Sequence, residues 1–385
     1  MTPAERYVLL GLRIGRHVDG MVDAYFGPPE LAATVDAEAL TDPRELVAAG
    51  DELLDELDDG WLRDQVVGLR TYAGVLAGET RSYPDEVEGC YGVPAQHTDE
   101  SIFAAAHERL ETLLPGEGSL AERYERWRTE TRVSPEEVEA TVAAAIEEAR
   151  RWTRELVDLP DGEGVDLEVV HDEPWLAFCY YLGGLRSRIA VNLDLPISAL
   201  ELLHLAIHET YAGHHAERCV KERLLVRERD LLEETIVMVP APQSVVSEGI
   251  AELAVKLLLE GEGGAALAAV TEEAGVELDL GRALAIEEAR RPLEWAHVNA
   301  ALMFHEDGAA EAETRDYMER WALLTPQLSA HLLRFFKEPT SRSYVITYAA
   351  GEELCDAYVA GDPARFRRLL SEQVRVGELL AARDG

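Results

Sequence analysis

Apolar positions recur along most of this chain at the three- and four-residue spacing of amphipathic helices, with one interruption. Thr2-Pro3 is a helix-opening pair and Thr41-Asp42-Pro43 another. Ser134-Pro-Glu-Glu137 has a capping-box layout ahead of a long Ala- and Glu-rich helix running towards Val157. The interruption lies between Leu167 and Asn192. There residues 167–170, 177–181 and 188–192 are short β-prone runs, and Gly183-Gly184 can turn the chain between the last two. These runs predict a small antiparallel sheet just before a helix that Leu195-Pro-Ile-Ser198 introduces. Leu202, Leu203, Leu205, Ala206 and Ile207 give that helix an apolar, well-packed start. A further helical period begins near Pro242 and carries Glu248 and Glu252 on one face, among Ile250, Leu253, Ala254 and Leu257.

The expected architecture is therefore mainly α, two helical lobes around a cleft with the small sheet beside the second lobe's first helix. The loop at residues 160–164 predicts the boundary. It divides the chain into an N-terminal helical lobe, 1–164, and a second lobe, 165–385, unless the two form one continuous domain. No internal repeat or low-complexity tract interrupts this pattern.

At 385 residues and 47% hydrophobic, the chain can bury a large core. Its 74 acidic against 36 basic residues give a net charge of -38, which repels nucleic acid and anionic membrane surfaces. Neither is expected as a partner. Most of that charge, as in residues 51–59, belongs on solvated helix faces. The opening Met1-Thr-Pro-Ala-Glu-Arg6 lacks the layout of a signal peptide, and no stretch reaches the eighteen or so apolar residues needed to span a bilayer. A cytoplasmic location is expected. Cys90, Cys179, Cys219 and Cys355 are far apart in sequence and read as reduced, buried thiols.

The chemistry concentrates in the run His208-Glu-Thr-Tyr-Ala-Gly-His-His215, three imidazoles and a carboxylate within eight positions. Neutral imidazole is a common ligand of first-row metals, and a Glu beside a ligating His can act as general base on water, as in His-Glu-x-x-His zinc peptidases. There the two His are four apart. Here His208 and His214 are six apart, pointing about 120° from each other on an unbroken helix, and His208 and His215 are separated by about 10 Å of rise. A shared ion demands local unwinding, which Gly213 most readily permits. His204, four residues before His208, forms a regular pair with it. The bland alternative is a His-rich amphipathic helix without metal. A third protein ligand is needed, and Glu248 or Glu252 on a second packed helix would supply it, leaving the fourth position to water.

Taken with Glu248-Gly-Ile-Ala-Glu252 and Arg342-Ser-Tyr344-Val-Ile-Thr-Tyr348-Ala-Ala-Gly351, this run resembles the DUF885 family, relatives of the gluzincin-type zinc peptidases. The likeness extends from about residue 177 to 358. The family pattern has Pro where this chain has Ala212 and Trp where it has Ile250. The resemblance implies a gluzincin- or neurolysin-like helical fold and a Zn²⁺ held by His208, His214 and Glu248. Whether His214 or His215 is the second histidine ligand stays open, with alignment on Gly213 favouring His214 and leaving His215 as a substrate or supporting contact. It also implies Glu209 as general base, Tyr348 as the donor to the tetrahedral oxyanion with Tyr344 as its deputy, and Arg342 as a clamp for a substrate carboxylate. The implied activity is hydrolysis of peptide bonds, as a carboxypeptidase or dipeptidase if Arg342 acts so. Hydrolysis of small non-peptide amides and a catalytically silent binding protein of the same fold are the alternatives. The strand ending in Asn192 is expected beside the cleft, available to pair with an extended peptide. His305, before Gly308, reads as a polar helix end, and His17, His97, His107, His171, His297 and His331 read as structural.

Overall fold

The computed structural model of the protein describes residues 1–171, 176–192, 194 and 196–385. With 65% helix and 8% strand, the chain is mainly α, as its periodicity predicts. The first helix, α1 (Pro3–Gly15), starts at a Thr2 capping box closed by Glu5. The long helix α2 (Pro135–Leu156) spans the expected Ala- and Glu-rich run, but the Ser134 side chain makes no capping bond. Ser198 does: its hydroxyl accepts from the backbone of Glu201 and the Glu201 carboxylate returns to the Ser198 N–H. That box starts α3 (Ala199–Glu209), the helix bearing His204 and His208. Leu195, expected to introduce it, lies outside the described residues.

The three β-prone runs become β2 (Gly164–Val170), β3 (Ala177–Gly183) and β4 (Arg186–Asn192). Gly183 and Gly184, with φ near +73° and +63°, turn β3 into β4 as expected. The sheet is not wholly antiparallel. Its order is β2-β4-β3, with β3 antiparallel to β4 and β2 parallel to it. Residues 189–192 of β4 are all buried, and a strand covered on both faces takes the central position. Both edges of β4 are therefore paired within the sheet, so the expectation that the strand ending in Asn192 pairs with a substrate peptide does not hold.

A second sheet has no counterpart in the expected pattern. The short strand β1 (Val22–Tyr25) runs antiparallel to β5 (Ile236–Met238), tying a segment near the amino terminus to the chain just before α5 (Pro242–Glu260). One connected cluster of buried side chains extends from Tyr7 to Leu379. Across the expected lobe boundary, Tyr72 and Tyr83 donate to the carbonyls of Pro339 and Arg342.

The most extensive helix contact is between α5 and α6 (Ile346–Val359). Glycine makes it possible: a Cβ on Gly249 would stand 2.2 Å from the Gly351 carbonyl oxygen, and one on Gly351 would stand 2.5 Å from that of Val245. The two backbones touch, and the Glu248–Glu252 face of α5 is brought under Tyr344 and Tyr348.

Glu163, in the loop between α2 and β2, anchors this end of the fold. Its buried carboxylate accepts from Tyr211 Oη (2.5 Å) and from Arg150 Nε and Nη2 (2.9 and 2.7 Å), and lies 3.4 Å from His215 Nε2. Burial alone would raise its pKa, but the His215, Tyr211 and Arg150 contacts outweigh it and hold the group down to about 2. Because the folded pKa is below the unfolded one, this contribution is complete above about pH 4.5 and is lost as pH falls towards 2. Glu163→Gln should destabilise the protein by about 1–3 kcal/mol at neutral pH. In urea titrations the gap between variant and wild type should close below pH 4. A gap that persists at pH 2 would show that the Glu163 charge is not what stabilises the loop.

Candidate metal centre

Helix α3 stops at Glu209 because Thr210 leaves the helical region (φ -123°, ψ -98°) and its hydroxyl turns back to the Ala206 carbonyl. The chain then swings through Tyr211, Ala212 and Gly213 before α4 (His214–Lys221) begins. The unwinding required between Thr210 and Gly213 is present. The left-handed residue in it is Ala212, with φ near +63°, and not Gly213. Proline, which the resembling family carries here, is locked near -65° and could not adopt that conformation. Gly213 is needed for space: its Cβ would lie 2.0 Å from the His208 carbonyl oxygen and 2.5 Å from that of Ile207.

This break turns His214 back onto His208, their rings perpendicular with centroids 4.7 Å apart. Glu248 of α5 joins them. His208 Nε2 is 3.3 Å from Glu248 Oε2, and His214 Nε2 is 3.7 Å from Glu248 Oε1. One donor atom from each of the three residues lies within 4.8 Å of the others. Ligands about 2.0–2.1 Å from a tetrahedral zinc stand about 3.3 Å from one another, so these separations suit the edges of such a site. Glu248 Oε2 is buried without a hydrogen bond. Among the described residues, no Lys or Arg forms an ion pair with Glu209, Glu248 or Glu252. Glu248 Oε2, withdrawn from water without a hydrogen bond and facing imidazoles alone, leaves a place where a cation could sit. The donor set of two imidazoles and a carboxylate fits zinc.

The surroundings orient the donors. His214 Nδ1 lies 3.2 Å from Ser247 Oγ, which donates to Glu217 Oε2 at 2.5 Å, and Lys221 Nζ donates to Glu217 Oε1 at 2.6 Å. With its hydroxyl proton committed to Glu217, Ser247 accepts from His214 Nδ1–H, which leaves the Nε2 lone pair towards Glu248. Tyr344 Oη donates to Glu248 Oε1 at 2.6 Å. On the far side of the His208 ring, Nδ1 lies 3.2 Å from Glu252 Oε1. Burial works against the His208 imidazolium, but the Glu248 and Glu252 carboxylates outweigh it and raise its pKa well above the ordinary value. Burial pushes His214 down to about 4, keeping it neutral and able to ligate. Burial also lifts Glu209 to about 7, a value suited to exchanging a proton near neutrality.

Tyr348 lines a cleft of about 240 Å³ together with His204, Glu252, Arg290, Arg291 and Glu352. Tyr348 is half-buried there, and its hydroxyl has no hydrogen bond among the described residues. The other expected substrate contacts are engaged elsewhere. Arg342 Nε lies 2.9 Å from the buried Glu86 carboxylate, away from the cluster. His215 is wholly buried, with Nδ1 2.8 Å from Ser187 Oγ, and acts as an internal anchor; His214 is the histidine that faces His208. Tyr344 is committed to Glu248. His305 Nε2 lies 2.9 Å from the Phe336 carbonyl and its ring stacks on Tyr83, the structural role expected of it.

Ser247, Glu217 and Asp23 are additions that the sequence pattern did not single out. Glu217 stands one helical turn beyond His214, a position where a supporting carboxylate could have been sought. Asp23 lies about 185 positions before His208 and comes near only through the β1–β5 pairing; burial raises its pKa to about 6, against the pull of Arg218.

The space at Gly213 gives a test of this geometry. Gly213→Ala forces the α3–α4 junction open, so zinc affinity should fall at least about tenfold and stability by about 1–3 kcal/mol, the usual range for overpacking. Competition with a chromophoric chelator and a thermal melt would measure both. Unchanged zinc affinity would mean that the close approach of residue 213 to the His208 carbonyl is dispensable.

No protein-family model and no curated protein matches the chain. Among solved structures it is similar to a protein described as a candidate lipoprotein from Colwellia psychrerythraea, at 14% identity and a TM-score of 0.57, covering 88% of this chain and 66% of that one. It is also similar to a candidate lipoprotein of unknown function from Shewanella oneidensis, at 14% identity and a TM-score of 0.53, covering 91% of this chain and 69% of that one. The chain thus spans about two thirds of the length of each. Among the described residues, no helix is long and apolar enough to cross a membrane. At this identity the likeness concerns the fold alone: this helical arrangement recurs within longer chains.

Proposed function

We propose that the protein is a zinc-dependent hydrolase of peptide or small amide bonds. The observation that carries this reading is the break at residues 210–213, which sets His208 and His214 around Glu248 at the spacing of tetrahedral ligands. The resemblance to the DUF885 and gluzincin pattern supports it from the sequence side.

His208 Nε2, His214 Nε2 and a Glu248 oxygen would hold the ion, which when bound supplies Lewis acidity and lowers the pKa of water. Glu209, next to His208 and without a hydrogen-bond partner among the described residues, accepts the proton of the attacking water and returns it to the leaving nitrogen. Tyr348 donates its phenolic proton to the oxygen that develops negative charge. Tyr344 keeps Glu248 in place, and the Ser247–Glu217–Lys221 chain does the same for His214. Arg342, paired with Glu86, adds nothing to the case for an exopeptidase, so peptide and small amide substrates stand level.

Purified protein loaded with zinc and dialysed should retain at least one tightly held ion per chain by elemental analysis. Glu248→Ala should lose that ion and Glu252→Ala keep it; the reverse result would move the carboxylate ligand by one helical turn. Glu209→Gln should retain zinc while peptide-library hydrolysis falls by about 10²- to 10⁴-fold, the span of general-base catalysis. Undiminished activity in that variant would assign water activation to another residue.

A further inference from the structure

The side of the His208 ring turned away from His214 repeats the same arrangement. Glu252 Oε1 stands between two imidazole nitrogens, 3.2 Å from His208 Nδ1 and 3.3 Å from His204 Nε2. The two rings are nearly parallel, with centroids 5.5 Å apart. His204, His208 and Glu252 each present a donor atom within 4.8 Å of the others. The His208 side chain is only 9% exposed, and its Nδ1 has no hydrogen bond despite the nearby carboxylate. An imidazole N–H that merely oriented against Glu252 would be expected nearer 2.9 Å and in line with the oxygen. Here both separations suit edges of a tetrahedral coordination shell, about 3.3 Å.

We infer that His204, His208 and Glu252 form a second seat for a divalent transition-metal ion, facing the cleft and sharing the His208 ring with the inner seat. The outer trio stands on its own donors; the shared ring rests on the zinc reading of His208, His214 and Glu248. With both seats filled, the His208 ring would present Nε2 to the inner ion and Nδ1 to the outer one, the second ion displacing the remaining ring proton to solvent. Glu248 and Glu252 would then each face a cation; with the inner ion alone, Glu252 would keep its charge with no Lys or Arg ion pair among the described residues. His204 is 41% exposed on its side chain and lines the open cleft, so the outer seat is reachable from solvent and should be the weaker of the two.

Equilibrium dialysis of the intact apoprotein against increasing free zinc, read by elemental analysis, tests this. Wild type should bind two ions in two separate phases, with His204→Ala and His214→Ala each binding one. Diffraction at the zinc absorption edge should place one anomalous peak on each side of the His208 ring in wild type, and only the inner peak in His204→Ala. Glu252→Gln, which keeps the shape of the side chain, should also lose only the outer peak, and a thermal melt checks that each variant is folded. Saturation at one ion in wild type and His204→Ala, with none in His214→Ala, would overturn the outer seat and leave the proposed function intact. One ion in wild type and His214→Ala, with none in His204→Ala, would uphold the outer seat and overturn the inner one. A wild-type protein that binds no zinc would overturn both.

Discussion

Everything at the candidate centre depends on where α3 is allowed to stop. A helix continuing through His215 would leave His208 and His214 about 120° apart around the axis, with no common ion possible. Thr210 diverts its hydroxyl to the Ala206 carbonyl, Ala212 accepts a left-handed conformation, and Gly213 passes within 2.0 Å, measured from a hypothetical Cβ, of the His208 carbonyl oxygen. The non-glycine residue in the left-handed region costs of order 1 kcal/mol. Buried Tyr211, held by Glu163, offsets that cost by fixing the turn from outside.

The second support is the backbone contact of α5 with α6. Glu248 and Glu252 could sit on one face of any regular helix, but only a partner helix at touching distance brings Tyr344 within 2.6 Å of Glu248 and Tyr348 to the wall of the cleft. Gly249 and Gly351 are what that distance requires. In the recognised pattern these two glycines look like spacers beside chemical residues. In the fold they set the position of those residues.

Much of this was legible in the sequence where the signal was local. Helical period gave the class, Ser198 and the apolar run after it gave α3, and the six-residue spacing of His208 and His214 demanded the unwinding that is present. What stayed hidden depended on distant pairing. The β-prone runs carry no mark that β2 joins β4 in parallel, because parallel register is set by the path of the connection. Nothing in residues 22–25 announces a partner at 236–238. A motif gives Arg342 and His215 only a place, while an Arg or His is defined by what it meets, and Glu86 and Ser187 lie far away in sequence.

The α5–α6 contact also bears on how the protein comes into being. Emerging from the ribosome, the chain presents the imidazoles of α3 and α4 and the carboxylates of α5 long before residues 344–351 exist. Until then Glu248 lacks Tyr344 and Gly249 has no backbone to press against. The unfinished chain therefore exposes the groups of the proposed metal centre without the helix that positions them. The geometry of the candidate centre is complete only at the end of synthesis, when α6 docks.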